Sequence, residues 1–171
     1  MTRSGRSRRA VMTRSDGSRS DPATRSALQS ALAAEHAAIY GYGVAGAHLK
    51  GARQQAAQRD WVAHQLARDA LEARLSSLGA QPVAAQDAYQ LPFPVHGSGA
   101  AATLAAFLED GVATAYLRLV ALADPGLRAW GARQVRASAL RATSWSGRAA
   151  AFPGLPASTG ATTSAPRPAA S

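Results

Sequence analysis

Apolar residues recur along most of this chain at alternating steps of four and three, the spacing that keeps side chains on one face of an α-helix. The dipeptides at 21–22 and 124–125 are both Asp-Pro, a cap acceptor followed by a proline whose fixed φ suits a first helical turn. Gly79 follows the second apolar stripe, where a helix C-terminus commonly places glycine. The pattern therefore predicts four helices, over 22–48, 52–78, 99–122 and 125–150.

The connections between these helices differ greatly in length. Short turns join the first helix to the second and the third to the fourth, whereas the proline-containing segment 80–98 is long enough to return along the bundle. Two antiparallel helical hairpins joined by one long crossover is the arrangement of ferritin-like bundles. The sequence thus predicts an all-α, ferritin-like four-helix bundle over residues 22–152, followed over 153–171 by a disordered tail rich in Pro, Ala, Ser and Thr.

The net charge of +9 is concentrated before the first helix. The first 25 residues hold seven arginines and two aspartates, which is five of the nine net positive charges. Their Ser, Arg and Gly content cannot build a core, which predicts a disordered basic arm over 1–21. Weak nucleic-acid association through this arm is one alternative function, although the sequence makes nucleic acid an unfavoured partner.

Composition excludes several classes of protein. The chain has no cysteine, so disulfides, thiolate metal sites and thiol nucleophiles are ruled out. It contains neither a signal-peptide apolar region nor an apolar run of about 18 residues, and we therefore expect a cytoplasmic protein without a membrane span. A homodimer stays an open alternative.

Charged residues interrupt the two apolar stripes of the first hairpin. Glu35 stands between Leu32 and Ile39 in the first stripe, and His64 and Arg68 stand in the second. A charge on an inward helix face must be paired or bound to metal. The stripes therefore predict a polar centre inside the bundle.

Counting residues from the turns places these side chains at one height. Glu35 and His64 each lie about 15 residues from the first turn, and Glu109 lies 15 residues before the second turn. Helices in antiparallel hairpins rise equally from their turn, so the three should face one another. They are candidate metal ligands, with Asp60 as a fourth.

An internal ion network is the favoured alternative to a metal. A carboxylate-bridged di-metal bundle needs Glu on two helices and Glu-x-x-His on the other two. Here Asp60 precedes His64 by four residues, and no Asp, Glu or His follows Pro125. We therefore predict an ion pair between Glu35 and Arg68 within a network that includes His64 and Glu109. No cofactor is expected, with iron or manganese as the alternative.

Four strings in the predicted bundle resemble a known family. They lie at 33–43, 64–71, 88–94 and 108–112, and read AAEHAAIYGYG, HQLARDAL, AYQLPFP and LEDGV. Together they resemble the uncharacterised actinobacterial family DUF4439, a ferritin-like domain of unknown function, over about residues 24–150. The resemblance implies the four-helix bundle and supplies no activity.

The sequence favours a protein without catalytic machinery. It offers no glycine-rich phosphate loop and no serine with a base and a nucleophile elbow. We predict a ferritin-like bundle with a degenerate metal centre, acting as a binding or structural module. The second hypothesis is a metal-binding protein that uses Glu35, His64 and Glu109.

Overall fold

The structure is a computed structural model and describes residues 21–149 and 153–155. These residues form four helices and no strand, which confirms the predicted all-α class. The helices are α1 (Pro22–Ala47), α2 (Gly51–Ser77), α3 (Gly97–Val120) and α4 (Pro125–Ser146). The predicted boundaries differ most at the end of α4, which stops at Gly147 in the left-handed conformation, with φ of 69°.

The Asp-Pro start signals act differently at the two positions. At α4 the Asp124 carboxylate accepts a hydrogen bond from the backbone N–H of Leu127, at 2.8 Å. At α1 the side chain of Asp21 makes no cap hydrogen bond, and Pro22 occupies the first turn. Proline's missing N–H and fixed φ suit a helix start even without a side-chain cap.

Three pairs of helices pack closely along the bundle: α1 with α2, α1 with α3, and α3 with α4. Glycine permits two of these approaches. A Cβ added to Gly41 would lie 2.6 Å from Leu108 of α3, and one added to Gly131 would lie 2.9 Å from the Cβ of Leu119. By contrast, α2 and α4 meet through side chains such as Arg74, whose guanidinium lies 4.0 Å from the ring centre of Trp130.

The crossover between the hairpins is tied to α1 by polar contacts. Gln29 donates to the carbonyl of Gln81 and accepts from the N–H of Val83, at 2.6 and 2.8 Å. The Nε2 atom of His36 lies 3.1 Å from the carbonyl oxygen of Val83. These contacts fix the predicted long connection against the bundle, so the crossover is ordered without being helical.

Two apolar clusters form the core, one toward each end of the bundle. Leu28, Leu75 and Leu119 belong to the first cluster, and Leu49 and Leu104 to the second. Their members come from different stretches of α1 and α3. On α3, Glu109 lies between the two stretches, and on α1, Glu35 lies near the inner end of the first cluster, between Leu32 and Ala38. A polar layer therefore crosses the middle of the core.

The predicted arm and tail fall almost entirely outside the described residues. Three residues of the predicted tail, 153–155, are described and form a turn on α3, where the hydroxyl of Thr114 donates to the carbonyl of Gly154 at 2.8 Å. Gly154 is buried there against the backbone of Ala113. None of the four described helices combines the length and apolarity that a bilayer span requires.

Candidate functional site

The polar layer takes one charged side chain from each helix. Glu35 of α1, His64 of α2 and Glu109 of α3 are all at most 1% exposed. Arg141 of α4 reaches the same place from the bundle surface, with its side chain 20% exposed. The structure thus brings together the three residues that the sequence placed at one height, and adds an arginine.

His64 bridges the two carboxylates. Its Nδ1 atom lies 2.7 Å from Oε2 of Glu35, and its Nε2 atom lies 3.0 Å from Oε1 of Glu109. A neutral imidazole has one N–H, whereas both nitrogens donate in the imidazolium. Burial by itself lowers the pKa of His64, but the hydrogen bonds to Glu109 and Glu35 and their negative charges outweigh it and raise the pKa to about 9. We therefore expect His64 to be a cation at neutral pH.

One oxygen of Glu109 is the centre of the network. Its Oε1 atom accepts from the hydroxyl of Tyr42 at 2.6 Å, from His64 at 3.0 Å and from Nε of Arg141 at 2.7 Å. Arg141 also donates from Nη2 to the buried hydroxyl of Ser138, at 3.2 Å. Burial alone raises the pKa of Glu109, but its hydrogen bonds with His64 and Arg141 lower the pKa overall. The carboxylate is therefore held ionised.

Asp60 lies at the edge of this network. Its Oδ2 atom accepts from Nε1 of Trp145 at 2.9 Å and lies 3.5 Å from the hydroxyl of Tyr42. Asp60 is half-buried, and the loss of hydration raises its pKa. Asp60 therefore joins α2 to α4 and contacts the centre only through Tyr42.

Arg68 does not join the network, and the predicted ion pair with Glu35 is wrong. The guanidinium of Arg68 pairs instead with the adjacent Asp69, at 2.7 Å, and its side chain is 30% exposed. The long stem of an arginine lets its charged group stay in water even when its Cα faces inward. Glu35 pairs instead with His64, whose shorter side chain stays inside the bundle.

Arg141 is a residue of the network that was not predicted from the sequence. It lies three residues after Ser138 and four before Trp145, and both of these neighbours are buried. The same spacing identified Glu35 as inward-facing. The spacing in α4 therefore indicates an inward-facing Arg141, but arginine is not a metal ligand and does not fit the metal-site pattern.

Among the described residues, two buried side-chain atoms lack a hydrogen-bond partner of good geometry: Oε2 of Glu109 and the hydroxyl of Tyr116. Burial raises the pKa of Tyr116, and the charge of nearby Glu35 and a weak hydrogen-bonding interaction with it raise the pKa further. Within the described part of the chain, no three His, Asp or Glu residues are arranged to hold a metal ion. Both nitrogens of His64 contact carboxylates. His64 could therefore bind a metal ion only after losing its hydrogen bond to Glu35 or to Glu109.

The two buried tyrosines should respond differently to loss of the hydroxyl. Tyr42→Phe removes a hydrogen bond to a charged acceptor, and we expect it to lower the free energy of unfolding by about 1.5–3 kcal/mol. Tyr116→Phe removes a buried hydroxyl that lies near Glu35 without a hydrogen bond of good geometry, so its effect should be neutral or stabilising. Urea unfolding of the two variants provides the comparison. An equal loss in both would mean that Tyr116 has an acceptor in solution.

Comparisons with known proteins agree with this architecture. The family model for a domain of unknown function, DUF4439, matches residues 27–157. The crystal structure of a conserved hypothetical protein from Mycobacterium tuberculosis is 34% identical in sequence and superposes with a TM-score of 0.70, covering 72% of this chain and 94% of that one. No curated protein matches the chain significantly. By fold, sequence and extent of match, the chain belongs to the DUF4439 family.

Proposed function

We propose that this protein is a binding or structural module whose centre is held together by an ion network in place of a metal. The observation that carries the proposal is the contact of 2.7 Å between Nε of Arg141 and Oε1 of Glu109. An arginine is permanently charged and supplies at this carboxylate the positive charge that a metal ion would supply.

The charges of the network balance without a metal. Glu35 and Glu109 contribute two negative charges, and His64 and Arg141 contribute two positive charges. Buried charges require such pairing, because the free energy of removing an unpaired charge from water is large and nothing offsets it. A di-metal centre would also need a carboxylate or imidazole from the fourth helix. Helix α4 has none.

A metal-binding function is the second candidate, because Oε2 of Glu109 is buried and has no hydrogen-bond partner. Iron or manganese could use this oxygen together with Glu35 and His64, with Asp60 as a fourth ligand. Such a metal would have to displace the proton of His64 and repel the guanidinium of Arg141. The two candidates therefore differ in whether the cation at the centre is a side chain or an ion.

Thermal unfolding with and without metal separates the two candidates. With Fe²⁺ kept anaerobic, and with Mn²⁺ or Zn²⁺, we expect the Tm to stay within about 1 °C. A metal that binds the folded state alone would add about 2.7 kcal/mol at a hundredfold excess over its Kd, or several degrees.

The control for this measurement is His64→Ala. If metal raises the Tm of the natural chain and not of the variant, the metal candidate replaces our proposal. Near-stoichiometric iron or manganese in the purified protein, lost in Glu35→Ala, would lead to the same conclusion.

A further inference from the structure

A second polar site lies away from the centre, at the end of the bundle where α1 turns into α2. A cavity of about 360 Å³ opens there. Its lining consists of His48, Leu49, Lys50, Arg53 and Ser98. Leu49 is buried and forms an apolar wall, whereas the other four side chains are polar or basic. No acidic residue lines the cavity.

None of the described residues neutralises the basic side chains of this cavity. In the part of the chain that the structure describes, neither Lys50 nor Arg53 forms an ion pair. Both are exposed, so both charges are available to a ligand. Unpaired cations around a concave space raise the local concentration of anions.

The backbone around the cavity adds to its positive potential. Helices α2 and α3 both begin beside it, and neither has an acidic residue in its first turn or a side-chain cap. The carbonyls of Ala45 and Gly46 at the end of α1 already accept from the N–H groups of His48 and Leu49. Two of the last carbonyls of α1 are thus occupied, while the first turns of α2 and α3 and the two cations lie beside the cavity.

We propose that this cavity binds a phosphate group, either as the free anion or as part of a small phosphate ester. Arg53 offers two parallel N–H donors that match two phosphate oxygens, and Lys50 offers a compact charge. The hydroxyl of Ser98 supplies a further donor. A volume of about 360 Å³ leaves room for a small organic group beside the phosphate. This site shares no residue with the central network and does not depend on the function proposed for it.

Lys50 makes the site directly observable, because it is the only lysine in the chain. Reductive methylation with ¹³C-formaldehyde keeps its charge and labels one side chain, apart from the chain's amino terminus. We expect the Lys50 methyl signal to shift in a saturable way on addition of inorganic phosphate, with a Kd of about 1 mM or lower. A parallel titration with glycerol 3-phosphate distinguishes the two sources, since tighter binding of the ester would show that the ligand carries an organic group.

Two matched arginine variants on α2 test the assignment. Arg53→Gln should weaken phosphate binding about tenfold, since it removes the paired donors. Arg59→Gln removes the same charge from an exposed position on the same helix, outside the cavity, and should leave the Kd within about twofold. Both substitutions lie on the surface, and their folding can be checked by the Tm. A shift that never saturates, or an equal loss of affinity in both variants, would overturn the proposal.

Discussion

Replacing Arg141 with leucine should lower the free energy of unfolding by about 3–5 kcal/mol, far more than an ordinary surface arginine. Its side chain is four-fifths buried, and its Nε atom is 2.7 Å from a carboxylate that water does not reach. Without Arg141, Glu109 would keep its buried charge with only His64 and Tyr42 as donors. Urea unfolding at neutral pH measures the loss.

Three further variants show whether the loss comes from the stranded charge. Adding Glu109→Gln to Arg141→Leu removes that charge and should restore much of the stability. Arg136→Leu, at an exposed position on the same helix, should change stability by no more than about 0.5 kcal/mol. Arg68→Leu should cost at most about 1 kcal/mol, because it breaks only a surface ion pair. If Arg141→Leu costs no more than Arg68→Leu, the network does not depend on Arg141.

Stability should fall as the pH rises from about 6.5 to above 9. The pKa of His64 is about 9 in the folded protein and 6.5 when unperturbed. Folding therefore favours the protonated form: the contribution is complete below about pH 6.5 and is lost as the pH passes 9. The difference corresponds to roughly 3 kcal/mol. Denaturant unfolding across this range measures it, below the pH at which tyrosines ionise in the unfolded chain.

His64→Gln provides the control for this pH dependence. The variant should be less stable at neutral pH and should lose most of the decline toward pH 9, because glutamine does not titrate there. Nuclear magnetic resonance of the imidazole nitrogens gives an independent measurement, with two N–H groups expected at pH 7. An imidazole with one N–H at that pH would contradict the cationic form of His64.

The fold was largely predictable because its determinants are local. Periodicity of apolar residues marks the four helices, and the Asp-Pro dipeptides mark where α1 and α4 begin. The ends of the helices were less predictable. Helix α4 stops at Gly147 although its alanine-rich sequence continues to residue 151, since a glycine in the left-handed conformation terminates the last turn.

The sequence predicted the height of the charged residues along the bundle, but it did not predict which of them form ion pairs. Counting from the turns places Glu35 opposite His64, and the two lie 2.7 Å apart, because paired helices rise by equal steps. The length and conformation of each side chain decide which cation pairs with which carboxylate. The spacing of residues along the sequence does not reveal that conformation. The sequence therefore predicted Arg68 as the ion-pair partner of Glu35, whereas His64 is that partner. The contact of Arg141 with Glu109 is seen only in the structure.

The way in which α2 and α4 meet has a consequence for dynamics. Helices α2 and α1, α1 and α3, and α3 and α4 pack closely. Helices α2 and α4, by contrast, meet mainly through side chains. Those contacts are polar or cationic: Asp60 with Trp145, and Arg74 with Trp130. Local opening should therefore occur along this one edge, where the least packing holds the helical turns in place, and it would admit solvent to His64. Amide hydrogen exchange should then be fastest on the facing turns of α2 and α4 and slowest in α1 and α3.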